Sequence, residues 1–417
     1  HMVGIGGIGM SALRAFLVAK GCKVTGSDVS LKGHDASSVT ERVKVVVISY
    51  AIPSENVEVA KAVALKIPVI TYPEAVAEVI KGKKVFCVSG THGKSTVTAM
   101  LAQILVESGK DPSVIVGTKV PALEGKNYRV GSSDIFVLEA CEYREAFLNY
   151  RPDVLVITNV EPDHLDYYKT ARNYYRAFKR LCRQVTGTVV VNREDVRATE
   201  ILRGYEGRVV KVKKADRKVF PMQVFGEHNR LNAWQAIRAA ADAGVKQEKA
   251  MKILASFKGT WRRLEYKGEY NGAKLFDDYG HHPTEIFVTL RAIRERYPER
   301  RLVCVFQPHQ YSRLHSFFKD FVKALGTASF VVIPNVYRAR DSKEDMVKVN
   351  AGMLVDALNV QKNGSAVYGR SLSGTVQILK KALRALDVCV VMGAGDVTQV
   401  CPMLLQPSST SRRPKSR

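Results

Sequence analysis

The stretch that decides the fold is residues 85–107, VFCVSGTHGKSTVTAMLAQILVE. Residues 85–88 form an unbroken apolar run, as a strand buried on both faces of a parallel sheet requires. Residues 89–93 read as a small polar turn. Residues 94–107 read as a helix, with Val97, Met100, Leu101, Ile104 and Leu105 at spacings of three and four on one face. Strand, glycine-rich turn and helix together are the setting in which backbone N–H groups hold phosphates. Gly90, Thr91, His92, Gly93, Lys94, Ser95 and Thr96 therefore read as a phosphate loop. Lys94 reaches the terminal phosphates and the Ser95 hydroxyl reaches Mg²⁺. The full P-loop pattern asks for glycine at position 88; Val88 stands there, so the loop is a shortened variant.

Upstream lies the first glycine-rich turn of the chain, GIGGIG at residues 4–9, between an apparent strand and a helix over 10–20. Gly6, Gly7, Ile8 and Gly9 let a backbone approach a diphosphate, and Asp28 stands where a ribose-binding acid often stands. Taken alone this reads as a dinucleotide site or a bare tight turn; a diphosphate ligand is the reading preferred. With the second loop it points to a nucleotide-linked substrate plus ATP. Val24, residues 45–48 and residues 69–70 read as strands, and the charged joint at 81–84 as a boundary. Downstream, Glu139 follows a strand at 135–138, and Asp163, His164 and Asp166 follow one at 154–157. Ligands of open α/β sheets bind at strand carboxyl ends, so both sets are expected near the phosphate loop. A strand at 188–191 and a helix after Asn232 follow, with a second joint at 257–263. The pattern restarts with strands at 273–276, 302–306, 330–333 and 388–392 and helices at 283–296 and 316–325. The expected fold is α/β in three domains: a Rossmann-like domain at 1–82, a P-loop ATPase domain with a parallel sheet at 83–260, and a Rossmann-like α/β domain at 261–405. A disordered basic tail is expected at 406–417.

Of 417 residues, 46% are hydrophobic and 25% charged, which excludes a disordered chain. No apolar run nears the roughly 18 residues of a membrane span, and no secretory signal pattern opens the chain. Seven scattered cysteines without a CxxC pair speak against a disulfide scaffold or zinc ribbon and for a reducing cytoplasm. The formal charge of +24 fits anionic substrates, a generally basic proteome or nucleic acid. The excess is spread along the chain, so no specific nucleic-acid partner and no membrane partner are expected.

Eight segments stand in the order found in the Mur ligases: GIGGIGMSAL, SGTHGKSTV, EACEYREAFL, ITNVEPDHLDYY, GEHNRLNAWQAI, FKGTWRRLE, DDYGHHPTE and FQPHQYSRL. The chain resembles that family from Gly4 to Asp396, and within it the members that add L-alanine to UDP-N-acetylmuramate. The resemblance implies an ATP- and Mg²⁺-dependent ligase of peptidoglycan precursor synthesis that works as a monomer or homodimer. Members that attach an intact murein tripeptide remain the alternative, and FQPHQYSRL favours the single amino acid. Two further readings stand beside these, a P-loop ATPase working on nucleic acid and a module that has lost catalysis.

By position, the resemblance makes Ser95, Glu139 and His164 the metal ligands. It sets Lys94, Glu139, His164, Arg263 and His281 among the catalytic groups. His228, Asn229 and Asn232 fall on the adenine side, and Arg263 and Asp278 reach the nucleotide from the third domain. Gly6, Gly7, Ile8, Gly9, Asp28 and Ser49 take the UDP-sugar; His281, His309 and Arg313 face the amino acid and the muramyl carboxylate. Three departures stand out. The segment between Asp28 and Val45 is short by a helix and part of a strand. Cys141 replaces an aspartate and is expected to pack. Gln310 replaces an arginine.

Overall fold

Short parallel strands ending in glycine-rich or acidic loops build three sheets in the computed structural model, which describes residues 1–217, 219–339 and 341–406. The expected basic tail lies, beyond Gln406, outside the described residues. The chain divides into two compact units: residues 1–223 with 229–260, and residues 224–228 with the chain from 261 on.

The first unit holds two sheets. In the first, β1 (Met2–Val3), β2 (Gly26–Ser27), β3 (Val46–Ile48) and β4 (Val69–Thr71) run parallel in the order β2-β1-β3-β4. Order reverses at β1, so the glycine-rich turn after it sits at the switch point where open sheets bind ligands. The link from β2 to β3 carries a short 3₁₀ turn, Ala36–Ser38, in the place of a crossover helix. Val39 fills the space, packing with Val3, Val46, Ala62 and Ile67.

The second sheet comprises β5 (Lys84–Ser89), β6 (Ser113–Val120), β7 (Lys126–Arg129), β8 (Ile135–Glu139), β9 (Val154–Ile157), β10 (Thr188–Asn192) and β11 (Arg208–Val212). Its order is β11-β10-β9-β5-β8-β6-β7, with only β6 and β7 antiparallel. The strand read from residues 85–88 is thus central, with β8 on one side and β9 on the other. The helix Lys94–Glu107 is buried on every side from Ser95 to Leu105, not on the one face that its spacing indicates. Such a helix is walled by protein all round and anchors the loop before it.

The two sheets share one apolar core. Met10, Leu13 and Phe16 of the helix Ile8–Ala19 belong to the same cluster as Ile115, Phe136 and Leu138. The Phe16 and Phe136 rings lie 5.1 Å apart, and the Asn127 amide donates to the Ile8 carbonyl at 2.7 Å. The charged joint at 81–84 is therefore a turn over a continuous interior.

The second unit carries β12 (Glu265–Tyr270), β13 (Ala273–Asp278), β14 (Leu302–Phe306), β15 (Phe330–Pro334), β16 (Ala366–Arg370) and β17 (Val388–Met392), in the order β12-β13-β17-β14-β15-β16. Only β12 is antiparallel. Apolar clusters fill both faces of this sheet. Where residues 316–325 read as one helix, two short ones stand, Tyr311–Ser316 and Phe318–Leu325.

Phe16→Ala removes a ring from the seam between the first two sheets and is expected to lower stability by about 3–5 kcal/mol. Chemical denaturation followed by circular dichroism checks this; a loss below about 1 kcal/mol would mean that the two sheets do not share a core.

Candidate active site

The carboxyl ends of β5, β8 and β9 converge, and the phosphate loop grows from the middle one. Gly90 sits at φ +134°, and a Cβ there would stand 2.1 Å from the Thr158 hydroxyl, so no other residue fits. Asn159, after β9, clamps the loop in both directions. Its side-chain oxygen accepts from His92 N at 3.0 Å, and its amide donates to the His92 carbonyl at 2.9 Å. The Thr91 hydroxyl donates to the Glu161 carbonyl at 2.7 Å and lies 2.9 Å from the Tyr174 hydroxyl. These bonds consume the Thr91 side chain in holding the loop. The first N–H groups of Lys94–Glu107 remain for an anion. Asn232 backs the turn: a Cβ on Gly93 would meet its oxygen at 2.9 Å.

Lys94 is the charge at the centre. Its ammonium donates to the Gly90 carbonyl at 2.6 Å, the Thr91 carbonyl at 2.9 Å and Glu142 at 3.1 Å. Burial pushes its pKa down, but Glu142, Cys141 and Glu139 outweigh that and hold it above the usual lysine range. Burial pushes Glu142 up, and Lys94 and His164 bring it below the usual carboxylate range. Beside this pair the Ser95 hydroxyl donates to Glu139 at 2.9 Å, and Gly117 N donates to the other Glu139 oxygen at 2.6 Å. His164 Nε2 stands 3.5 Å from Glu142, and its ring lies 4.9 Å from the Tyr143 ring. The structure thus brings Lys94 and His164 onto Glu142 and Ser95 onto Glu139, with Glu139 among the charges that act on Lys94.

Sequence reasoning missed Glu142. A sheltered lysine needs a counter-charge, and residues 139–145 hold three glutamates; only the turn selects among them. The expectation that Cys141 packs is corrected, since it is exposed. The turn that carries Glu142 inward presents its neighbour to the surface.

At the first sheet, Gly6 N donates to Asp28 at 3.0 Å, while Ser30 N and its hydroxyl hold the other Asp28 oxygen at 2.9 and 2.7 Å. Those Ser30 bonds lead the causes that hold Asp28 below the usual carboxylate range. The Ser49 Cβ stands 3.4 Å from where a Gly4 Cβ would lie. Gly6, Gly7, Ile8, Gly9, Asp28 and Ser49 therefore share one edge, with Gly7 capping the helix Ile8–Ala19.

In the second unit, Asp278 closes β13. Its carboxylate accepts from Leu264 N and from Gly280 N, each at 2.8 Å, and burial raises its pKa to about 6 against the pull of Arg263. Arg263 stands 3.4 Å from Glu285, with its guanidinium over the Tyr279 ring. Its neighbour Arg262 is buried against Asp277 and the Gly393 and Gly395 carbonyls. His281 N donates to Glu285 at 3.0 Å, and its ring lies 5.8 Å from His309, which stacks on Tyr337. Arg313 is buried on the helix Tyr311–Ser316, capped by Gln310 at φ 71°. His228, whose burial lowers its pKa to about 4, groups with this unit; Asn229 and Asn232 group with the first.

Family models match along nearly the whole chain: the Mur ligase family catalytic domain at residues 1–84, the Mur ligase middle domain at 88–218 and the Mur ligase glutamate ligase domain at 262–395. UDP-N-acetylmuramate–L-alanine ligase of Clostridium kluyveri is 36% identical, over 97% of both chains. That of Desulfitobacterium hafniense is 35% identical, over 96% of this chain and 98% of its own. The crystal structure of UDP-N-acetylmuramate–alanine ligase from Thermotoga maritima matches with a TM-score of 0.80 at 26% identity, over 97% of both chains. A murein peptide ligase from Psychrobacter arcticus shares the fold at a TM-score of 0.67 and 22% identity, again over 97% of both.

Glu142→Gln leaves the Lys94 ammonium without its counter-charge and is expected to cost on the order of 3 kcal/mol at pH 7. The lowered Glu142 pKa makes the pair's contribution present above the ordinary carboxylate range, to be lost as pH falls through that lowered pKa. Urea denaturation of both proteins from about pH 3 to 8 checks it: the gap should be flat near neutrality and close in acid.

Proposed function

The chain belongs to the Mur ligase family, and from that premise we propose that it joins L-alanine to the carboxylate of UDP-N-acetylmuramate, using ATP, in the synthesis of peptidoglycan precursors. The observation that carries this reading is Lys94 held by Glu142 beside the Ser95–Glu139 pair, at the end of the central strand.

The chemistry asks for such a centre. A carboxylate is a poor acyl donor because oxide is a poor leaving group. Its oxygen attacks the γ-phosphorus of ATP, the bond to the β-phosphate oxygen breaks, and an acyl phosphate and ADP result. The neutral amine of L-alanine then attacks the acyl carbon and expels phosphate. Two anions meet in the first step, and Lys94 offsets their repulsion; Arg263 is proposed as a further catalytic cation. Two oxygen donors from Ser95 and Glu139 and the His164 imidazole suit Mg²⁺ completed by phosphate oxygens and water, and the ion would draw charge from the transferring phosphoryl group. His281 takes the proton from the amine. Arg313 forks onto the amino-acid carboxylate, with His309 beside it.

Labour divides along the chain: residues 1–82 take the UDP-sugar, 83–260 the ATP and 261–405 the amino acid. His228, Asn229, Asn232 and Asp278 belong to the nucleotide side. No helix among the described residues is long and apolar enough to cross a membrane. A cytoplasmic location is proposed, in keeping with described cysteines that are unpaired. Attachment of an intact tripeptide is the weaker reading, because the relatives reported at 35–36% identity over nearly the whole chain are L-alanine ligases.

Phosphate release in the presence of UDP-N-acetylmuramate, ATP and Mg²⁺ tests the proposal. Release with L-alanine is expected, and release with the tripeptide alone would sink it. Lys94→Ala is expected to lower kcat by at least about a thousandfold while calorimetry finds UDP-sugar affinity within about twofold. Arg313→Ala should raise the KM for L-alanine by about tenfold or more; an unchanged KM would remove Arg313 from the carboxylate site.

A further inference from the structure

Residues 139–145 contain two successive non-glycine residues in the left-handed region, Arg144 at φ 52°, ψ 30° and Glu145 at φ 57°, ψ 23°. Glycine adopts that conformation freely; a side chain does so under strain and persists only where its surroundings insist. Here they do. Glu145 N donates to the Glu142 carbonyl at 2.9 Å and Phe147 N to the Cys141 carbonyl at 3.0 Å. The Tyr168 hydroxyl donates to the Glu142 carbonyl, and Arg180 holds both Glu145 oxygens at 3.0 Å.

Around this turn Glu142 lies inward against Lys94, and Arg144 is exposed. The exposed guanidinium lies 5.5 Å from the Tyr50 ring centroid and 5.7 Å from that of Tyr143. Tyr50 follows Ser49, which borders the first glycine-rich turn; the Tyr143 ring adjoins His164, which borders the second. Arg144 is thus held by one ring that follows the edge of the turn at 4–9 and by another that adjoins His164. Among the described residues no acidic side chain forms an ion pair with it.

The function proposed above requires a donor anchored by its diphosphate at residues 4–9 and delivering a carboxylate to Lys94. The part of that molecule from diphosphate to carboxylate carries negative charge at both of its ends and has to run from the turn at 4–9 toward Lys94. A guanidinium steadied by two rings, without an acid of its own, offers its N–H fork to such an oxygen pair. Resting on that reading, we propose that Arg144 binds an oxyanion of the UDP-linked acid, from its diphosphate or its carboxylate, and so sets the donor's position between the two loops.

Arg144→Gly separates binding from architecture, because glycine accepts the left-handed turn without strain. The variant is expected to melt no lower than the wild type. Its KM for UDP-N-acetylmuramate should rise about tenfold or more, with the KM for ATP within about twofold. Arg144→Lys should recover only part of the loss, since an ammonium lacks the plane and the fork. Calorimetry with UDP and with UDP-N-acetylmuramate distinguishes the two sources. Weakening of both places Arg144 on the diphosphate, and weakening of the acid alone places it on the carboxylate; either supports the proposal. Affinities for both ligands within about twofold of wild type overturn it, as does a lower melting temperature with equal rises in both KM values. Wild-type protein that binds UDP but releases no phosphate with any acceptor sinks the ligase reading instead, and the UDP titrations still judge Arg144.

Discussion

A lysine ammonium sheltered at the end of a central strand must be paid for with negative charge, and the first unit is arranged around that requirement. Lys94 meets two backbone carbonyls and Glu142; Glu139 stands one side chain away through Ser95, and His164 backs Glu142. Taking such a charge out of water costs several kcal/mol unless partners are fixed in place. Fixing them draws on three strand ends. The loop after β5 brings the lysine, the end of β8 and the turn after it bring Glu139 and Glu142, and the loop after β9 brings Asn159 and His164.

The same constraint explains where the backbone is strained. Arg144, Glu145 and His164 all lie at positive φ, and all flank the Lys94–Glu142 pair. The two left-handed residues bend the chain sharply, and the Glu145–Arg180 pair with the Phe147–Phe178 contact keeps it bent. Strain gathers where charge has to be positioned, and the interior shared by the first two sheets gives it a firm footing.

In the second unit, Asp278 spends both oxygens on the Leu264 and Gly280 N–H groups, which binds the start of the unit to the end of β13. That role sets the direction of Arg263 and of the loop bearing His281 before any ligand arrives. Arg262, one residue away, turns inward to Asp277. Neighbouring arginines thus have different fates, and no spacing rule distinguishes them.

Much of this was legible in the chain. Residues 85–107 dictated strand, loop and helix because an apolar run, a glycine turn and a lysine allow few other local solutions. The first glycine-rich turn and Asp28 were readable for the same reason, and eight ordered segments pointed to the family. What tertiary structure decided were matters of long range. The pairing of Lys94 with Glu142, the burial of the helix Lys94–Glu107 on all sides, the common interior of two sheets and the outward turn of Arg144 each join residues far apart in sequence or depend on backbone angles that side-chain identity does not declare. Local propensity is written in residue type; which of several glutamates or arginines enters the interior is settled by the space and charge that the rest of the fold leaves for it.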